Sequence, residues 1–197
     1  MKGLPIFICA MMIITLTVAV LPTEAEASIY GDTIRLHILA ESDAEEDQAL
    51  KLEVRDMILA EFGERLAAAD GREEAEETAR AMLGEIEARV NGFLAEHGAS
   101  AEVTLTTEWY DTRDYEDFSL PCGYYTSLRV IIGEGSGKNW WCVMYPPLCK
   151  DLASERAPED DGVIDYSDEE IRLIEGGRGR IKFKILELFS GIFGLSS

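Results

Sequence analysis

The chain has 197 residues, which is enough for one domain and hardly for two. Hydrophobic residues make up 47% of it, so the chain can bury a packed core. Acidic residues outnumber basic residues 38 to 18, and the net charge of −20 argues against binding to nucleic acid or anionic lipid, because both repel such a surface.

The N-terminus has the pattern of a targeting segment. Lys2 precedes an apolar run from Gly3 to Leu21. Ala25 and Ala27 fit the small-residue pattern for cleavage after Ala27, so residues 1–27 are predicted to be a signal peptide. The alternative is a retained membrane anchor, since the run approaches the roughly 20 residues that span a bilayer. Both interpretations predict that the rest of the chain is exported.

A strand and two helices are predicted next. Residues 34–40 alternate between apolar and polar side chains, which indicates a strand. Apolar residues at helical spacing predict one helix from a capping box at Ser42 to near Gly71, and a second from about Glu73 to His97. Each helix has one apolar stripe and one charged face, so both should pack on one side of a sheet.

Three further strands follow in the prediction. Residues 101–110 alternate, and so do the two arms of the segment from Tyr124 to Cys149. Between those arms, Gly133, Gly135 and Gly137 permit a tight reversal, so the segment predicts a β-hairpin. The order of elements predicts an α+β fold, with a mostly antiparallel sheet and both long helices on one face.

Trp140 and Trp141 are adjacent in the second arm and therefore point to opposite faces of it. If one face packs on the core, the other indole is at least partly free, which indicates a contact surface. The alternative is that both tryptophans are core residues.

The character of the chain changes after Cys149. Residues 150–165 are acidic and contain Pro158 and Gly162, which predicts an exposed linker, and a short helix, a strand and an apolar tail are predicted beyond it. The predicted organisation is a signal peptide or anchor at 1–27, an α+β domain at 30–149, and a linker with a helix and strand segment at 150–197.

The glycine-rich segment does not have the spacing of a nucleotide-binding loop. Such a loop needs glycine, four residues, and then glycine, lysine and serine or threonine. When Gly137 and Lys138 are aligned with the second glycine and the lysine of that motif, Ile132 stands in place of the first glycine and Asn139 in place of the serine or threonine. The segment also leads into a predicted strand, so no helix N-terminus is available for an anion.

Neither a metal site nor covalent catalysis is predicted. His37 and His97 are interpreted as a packed and a capping histidine. The cysteines at 122, 142 and 149 are 20 and 7 positions apart, unlike paired zinc ligands. A cysteine nucleophile needs a nearby histidine base, and no histidine is placed near Cys142 by the sequence. We therefore predict no enzyme, no metal and no cofactor.

Two segments resemble the stage II sporulation protein R family. One is GEGSGKNWWCV followed by YPPLC, and the other is IRLHILAESDAEEDQALKLEVRD, from Ile34 to Asp56. They occur in the family's order and far apart, and together they extend from Ile34 to Cys149. The remainder, from Lys150 to Ser197, resembles the family only loosely.

The resemblance implies a signalling function. Members of the family are made in the forespore and secreted across its membrane into the intermembrane space. There they activate a membrane-embedded aspartic protease, which removes the pro-sequence of sigma E. Contact of this chain with a membrane is then expected only through a retained N-terminal segment. The expected partner-binding residues are Gly133, Gly135, Gly137, Asn139, Trp140 and Trp141. The alternatives are an exported envelope hydrolase and a structural envelope domain without a signalling role.

Three cysteines remain after removal of the signal peptide, so one disulfide and one thiol are expected in an oxidising compartment. A hairpin turning near Gly135 and Ser136 places Cys122 opposite Cys149, whereas a kink at the following prolines brings Cys149 back to Cys142. The family motif contains the equivalents of Cys142 and Cys149 but not of Cys122. The resemblance therefore favours the pairing of Cys142 with Cys149.

Overall fold

The structure is a computed structural model that describes residues 3–20, 24–114 and 119–147. The predicted segment at 150–197 and the predicted disulfide partner Cys149 lie outside these residues. The chain divides into two compact units, of which the first includes residues 1–29 and 109–124 and the second includes residues 30–108 and 125–165. In chain order the elements are α1 (Gly3–Val20), α2 (Glu24–Asp32), β1 (Ile34–Leu39), α3 (Glu45–Ala67), α4 (Arg72–Leu94), a 3-10 turn (Ala95–His97), β2 (Ala101–Tyr110), β3 (Arg113–Asp114), β4 (Ser119–Leu120), β5 (Gly123–Ile132) and β6 (Asn139–Tyr145).

The first unit contains the apolar N-terminal helix α1, whose residues from Ile6 to Ile14 have exposed side chains. No helix among the described residues combines the length and the apolar character needed to cross a membrane. In the same unit β3 and β4 pair antiparallel, with Arg113 opposite Leu120 and Asp114 opposite Ser119. The ring of Trp109 meets that of Tyr124 edge-on, with the two centroids 5.2 Å apart.

Four of the described strands form a sheet in the order β2-β5-β1-β6. The strands predicted at 34–40, at 101–110 and in the two arms are confirmed, with limits that shift by a few residues. Strand β1 runs parallel to β5 and antiparallel to β6. The sheet is therefore mixed, and the prediction of a mostly antiparallel sheet is only partly correct.

The predicted hairpin is wrong, because β5 and β6 are separated by β1. Leu36 of β1 pairs with Leu128 of β5 on one side and with Cys142 of β6 on the other. Alternation along a strand identifies the strand and its buried face, but it does not identify the neighbouring strand. The hairpin register that placed Cys122 opposite Cys149 therefore has no basis in this sheet.

Helices α3 and α4 share one hydrophobic core with one face of the sheet, as their apolar stripes predict. The core contains Val54, Ile58 and Phe62 of α3, Met82 and Ile86 of α4, and Leu36, Ile38, Leu128, Val130 and Met144 of the sheet. Burial of these side chains is the main favourable contribution to folding of the second unit.

The start of α3 differs from the predicted capping box. The helix begins at Glu45, and the preceding Ala44 makes no side-chain cap. The hydroxyl of Ser42 instead accepts from the N–H of Ala44 and donates to the carboxylate of Asp47. Residues 40–44 are consequently a structured connection, which we call the β1–α3 loop.

Asn91 joins the end of α4 to the beginning of β2. Its amide nitrogen donates to the carbonyl of Ala101 at 2.9 Å, and its amide oxygen accepts from the N–H of Ala101 at 2.8 Å. The amide thus satisfies both polar backbone groups of one strand residue. The side chain of Asn91 therefore connects α4 to β2.

Candidate functional site

Residues 133–138, the glycine loop, lie against the β1–α3 loop rather than projecting as a free hairpin tip. The N–H of Glu134 donates to the carboxylate of Glu41 at 2.9 Å, and the N–H of Lys138 donates to the carboxylate of Asp43 at 2.8 Å. Between them, both the N–H and the hydroxyl of Ser136 donate to the carbonyl of Glu41. The two loops are therefore joined by hydrogen bonds along most of their length.

The absence of side chains at the glycines allows this close approach. Gly133 has a φ of 55°, a conformation that L side chains rarely adopt, and a Cβ there would overlap the carboxylate of Glu41. A Cβ at Gly137 would collide with the backbone carbonyl of Ser42. These glycines are needed for packing within the molecule, whether or not they also contact a partner.

Lys51 supports the glycine loop from α3. Its side chain is buried, with 4% of the residue exposed, and its Nζ donates to the carbonyl of Lys138 at 2.9 Å and to the amide oxygen of Gln48 at 2.6 Å. Burial lowers the pKa of the Lys51 ammonium, and the nearby carboxylate of Asp43 partly opposes this change.

Trp140 lies on the helix side of the sheet. Its indole is partly buried and packs against the hydrophobic core. The guanidinium of Arg55 lies over the ring, 4.4 Å from the centroid, and this arrangement is a cation–π contact. Arg55 in turn pairs with the carboxylate of Asp56 at 2.6 Å.

Trp141 lies on the opposite face, as the alternation of β6 predicts. It stacks on the imidazole of His37, with centroids 3.7 Å apart and the ring planes 22° from parallel. His37 is buried, and its Nδ1 lies 3.2 Å from both carboxylate oxygens of Glu108. The prediction that His37 is a packed histidine is confirmed.

The carboxylate of Glu108 is the centre of this polar cluster. Burial raises its pKa, but the hydrogen bond and charge of His37, the charge of Arg129 and a hydrogen bond from Ser127 together lower the pKa below its ordinary value. Arg129 contributes through its Nε, which lies 3.8 Å from the carboxylate. Glu108 therefore receives stabilising contacts from two other strands, β1 and β5.

Serine, histidine and glutamate occur together here, but not in the order that a nucleophilic triad requires. In a triad the histidine lies between the hydroxyl and the acid, so that it can take the hydroxyl proton. Here Glu108 lies between Ser127 and His37 and accepts from both. Ser127 and His37 are also at most 1% exposed. The cluster has the geometry of a structural network.

A cavity of about 260 Å³ lies where the connection between α3 and α4 meets the end of β6. Its lining consists of Ala67, Ala69, Asp70, Gly71, Tyr145, Pro146 and Pro147. Small side chains and backbone form most of this surface. In the part of the chain that the structure describes, no group of three histidine, cysteine, aspartate or glutamate side chains is arranged to hold a metal.

The residues predicted to bind a partner are brought together at one end of β6. Gly133, Gly135, Gly137 and Asn139 lie in or next to the glycine loop, whereas the two tryptophans point to opposite faces. Sequence reasoning missed the residues that hold this loop, namely Glu41, Asp43 and Lys51. The available signal was that these residues lie within the first family-like segment and the glycine loop within the second.

Comparison with known proteins identifies the family. A family model described as Stage II sporulation protein R matches residues 30–154. The chain belongs to the stage II sporulation protein R family. A relative, the stage II sporulation protein R of Bacillus subtilis (strain 168), is 35% identical over 123 residues, which are 61% of this chain and 55% of that protein. The chain thus spans 55% of the length of this relative. No solved structure matches the chain.

Membership of the stage II sporulation protein R family gives the chain a role in sporulation. The matched residues include both the β1–α3 loop and the glycine loop. The two segments that resemble the family in the sequence are therefore also the two that hydrogen-bond to each other in the fold.

Proposed function

We propose that this chain is an exported signalling ligand of sporulation. It crosses the forespore membrane and activates the membrane-embedded aspartic protease that processes pro-sigma E. Membership of the stage II sporulation protein R family is the observation that supports this proposal. In this scheme the chain supplies recognition, and the protease supplies the peptide-bond chemistry.

The polar cluster of the second unit is consistent with a role in recognition without catalysis. The arrangement of Ser127, Glu108 and His37 lacks the proton path of a triad, and its histidine is 1% exposed. We assign this cluster to folding stability. The alternative of an exported hydrolase gains no specific support from it.

The proposed compartment and disulfide follow from export. Residues 1–27 direct the chain across the membrane, either as a cleaved peptide or as an anchor. In the oxidising space outside, Cys142 pairs with Cys149. This pairing is supported by the family motif, which contains the equivalents of Cys142 and Cys149 but not of Cys122.

The proposed contact surface is the end of β6 together with the glycine loop. Asn139 is exposed, and Trp140 and Trp141 are each partly exposed on opposite sides of the strand. Aromatic residues with part of their surface in solvent are common anchors of protein interfaces. This surface lies at the point where the two family-like segments meet.

The proposal is tested by reconstitution in a host that does not sporulate. The full-length chain is co-expressed with the candidate protease and its pro-sigma substrate, and processing is followed by the change in substrate size. We expect processing only when the chain and an intact protease are both present. A chain lacking residues 2–27 is the matched control, and it should remain in the cytosol without effect.

Two results would contradict the proposal. Processing without the chain, or processing triggered only by the version lacking residues 2–27, would exclude an exported activator. Cleavage of a substrate by the purified chain alone would support the hydrolase alternative instead.

A further inference from the structure

We infer that Glu41 and Asp43 are positioning residues for partner recognition, and that the recognition element is a composite of the β1–α3 loop and the glycine loop. This inference rests on the proposed function, because it concerns the contact that activates the protease. The two carboxylates take part in no covalent step, and they lie outside the segment that the sequence predicts to be a hairpin.

The backbone amides of the glycine loop are hydrogen-bonded within the molecule. The amides of Glu134, Ser136 and Lys138 donate to the carboxylate of Glu41, the carbonyl of Glu41 and the carboxylate of Asp43. The amide of Gly137 also donates, to the carbonyl of Ala40 at 3.0 Å. Since these donors are used within the molecule, a partner meets the side chains of the loop rather than its amides.

Several side chains in and next to the glycine loop face solvent. Glu134, Ser136 and Lys138 of the glycine loop are exposed, and so is Asn139 at the start of β6. Glu134, Lys138 and Asn139 present a carboxylate, an ammonium group and an amide, so the composite fits a polar protein surface with both donors and acceptors. The hydroxyl of Ser136 donates to the carbonyl of Glu41 at 2.6 Å, so it is already used within the molecule.

The carboxylates of Glu41 and Asp43 also hold the glycine loop in one conformation. A loop with three glycines among its six residues has many accessible conformations, and fixing it only on binding would reduce affinity. Carboxylates are strong acceptors for backbone N–H groups, so Glu41 and Asp43 fix the loop before the partner arrives. Lys51 completes the support by donating to the carbonyl of Lys138 from the buried side.

The experiment uses full-length Glu41→Ala, Asp43→Ala and the double variant in the reconstituted processing assay, at matched amounts of exported protein. Hydrogen exchange of the amides at 134–138 is measured on the same purified proteins. We expect faster exchange in the loop and a loss of processing of about tenfold or more in the double variant. Glu46→Ala is the matched control, because Glu46 is exposed in the first turn of α3, and it should change neither measurement.

Glu41→Gln and Asp43→Asn distinguish positioning from general destabilisation. Each amide side chain has the length of the carboxylate side chain that it replaces, and each retains one acceptor oxygen. Slow exchange of the loop amides and processing of the substrate should therefore both be partly restored. If one of these variants is not exported, Lys138→Glu tests the inference instead. This substitution changes an exposed side chain and leaves the carboxylates of Glu41 and Asp43 in place. It should reduce processing while loop exchange stays slow.

The failures of the two proposals are distinguishable. Faster loop exchange with normal processing in the double variant, or normal processing by Lys138→Glu, would overturn the inference and leave the proposed function intact. A wild-type chain that triggers no processing would overturn the proposed function, and the positioning role along with it.

Discussion

The imidazole of His37 stacks on the indole of Trp141, with ring centroids 3.7 Å apart. The neighbouring indole of Trp140 lies on the other face, under the guanidinium of Arg55. Each tryptophan thus has a packing partner and also retains some exposure to solvent. The two residues can therefore contribute to stability and to contact at the same time, and the contributions must be separated by measurement.

Replacing the tryptophans tests their part in docking. We expect Trp140→Ala and Trp141→Ala each to lower the free energy of unfolding by about 1–3 kcal/mol, because partly buried rings lose packing. If the end of β6 docks on the protease, at least one variant should also process pro-sigma poorly at equal exported amounts. Trp109→Ala is the control outside this surface. Normal processing by both exported and folded β6 variants would remove the tryptophans from the contact.

The pH dependence of stability should reveal the contacts of Glu108. Its pKa is lower in the folded chain than in the unfolded chain, so its contribution to the free energy of unfolding is complete above the unfolded pKa of about 4.3. The contribution is lost as the pH falls through the folded pKa. We expect the stability difference between wild type and Glu108→Gln to be constant from about pH 7 to pH 5 and to shrink below about pH 4.

Urea unfolding at each pH measures this difference. Glu102→Gln, an exposed substitution on the same strand, is the control and should have little effect at any pH. An advantage of the wild type over Glu108→Gln that persists unchanged at pH 3 would contradict the assigned contacts with His37 and Arg129.

Two glycine substitutions should have opposite effects. Gly137→Ala places a Cβ against the carbonyl of Ser42, and we expect it to lower the free energy of unfolding by about 1–3 kcal/mol. Gly84→Ala lies within α4 with open space around the added Cβ, and it should raise the free energy of unfolding by about 0.5–1 kcal/mol. Chemical denaturation compares the two variants. Equal effects would show that the glycine loop does not pack tightly.

Asn91 should contribute more to the free energy of unfolding than its position near the end of a helix indicates. Asn91→Ala removes the partners of both the N–H and the carbonyl of Ala101, and we expect a loss of about 1–3 kcal/mol in the free energy of unfolding. Asn91→Asp retains the acceptor and loses the donor, so its effect should be intermediate. Hydrogen exchange at Ala101 should accelerate in the alanine variant, and unchanged exchange there would argue against the contact.

The disulfide proposal is tested by mapping peptides without reductant from the exported chain. We expect Cys142 linked to Cys149 and a thiol at Cys122, and reduction should lower the free energy of unfolding by about 2–3 kcal/mol for so short a closed loop. A peptide that links Cys122 to Cys149 would contradict the pairing.

The glycine loop shows where sequence reasoning succeeded and where it stopped. Three glycines predict a tight turn because glycine accepts positive φ values, and Gly133 and Gly135 adopt them. The sequence did not predict that the β1–α3 loop occupies the space beside these glycines. Glu41 and Glu134 are 93 positions apart, and no local pattern records which distant segment approaches a glycine.

The sequence by itself determined the two long helices, the four strands of the main sheet and the face that packs on the core, because side-chain spacing follows directly from backbone geometry. It also showed which family the chain resembles. Only the tertiary structure decided that β1 lies between β5 and β6, and that Glu41 and Asp43 hold the glycine loop. The physical reason is that backbone N–H and carbonyl groups are alike in every strand. A strand can therefore pair with any neighbour, and the choice depends on how the whole core packs.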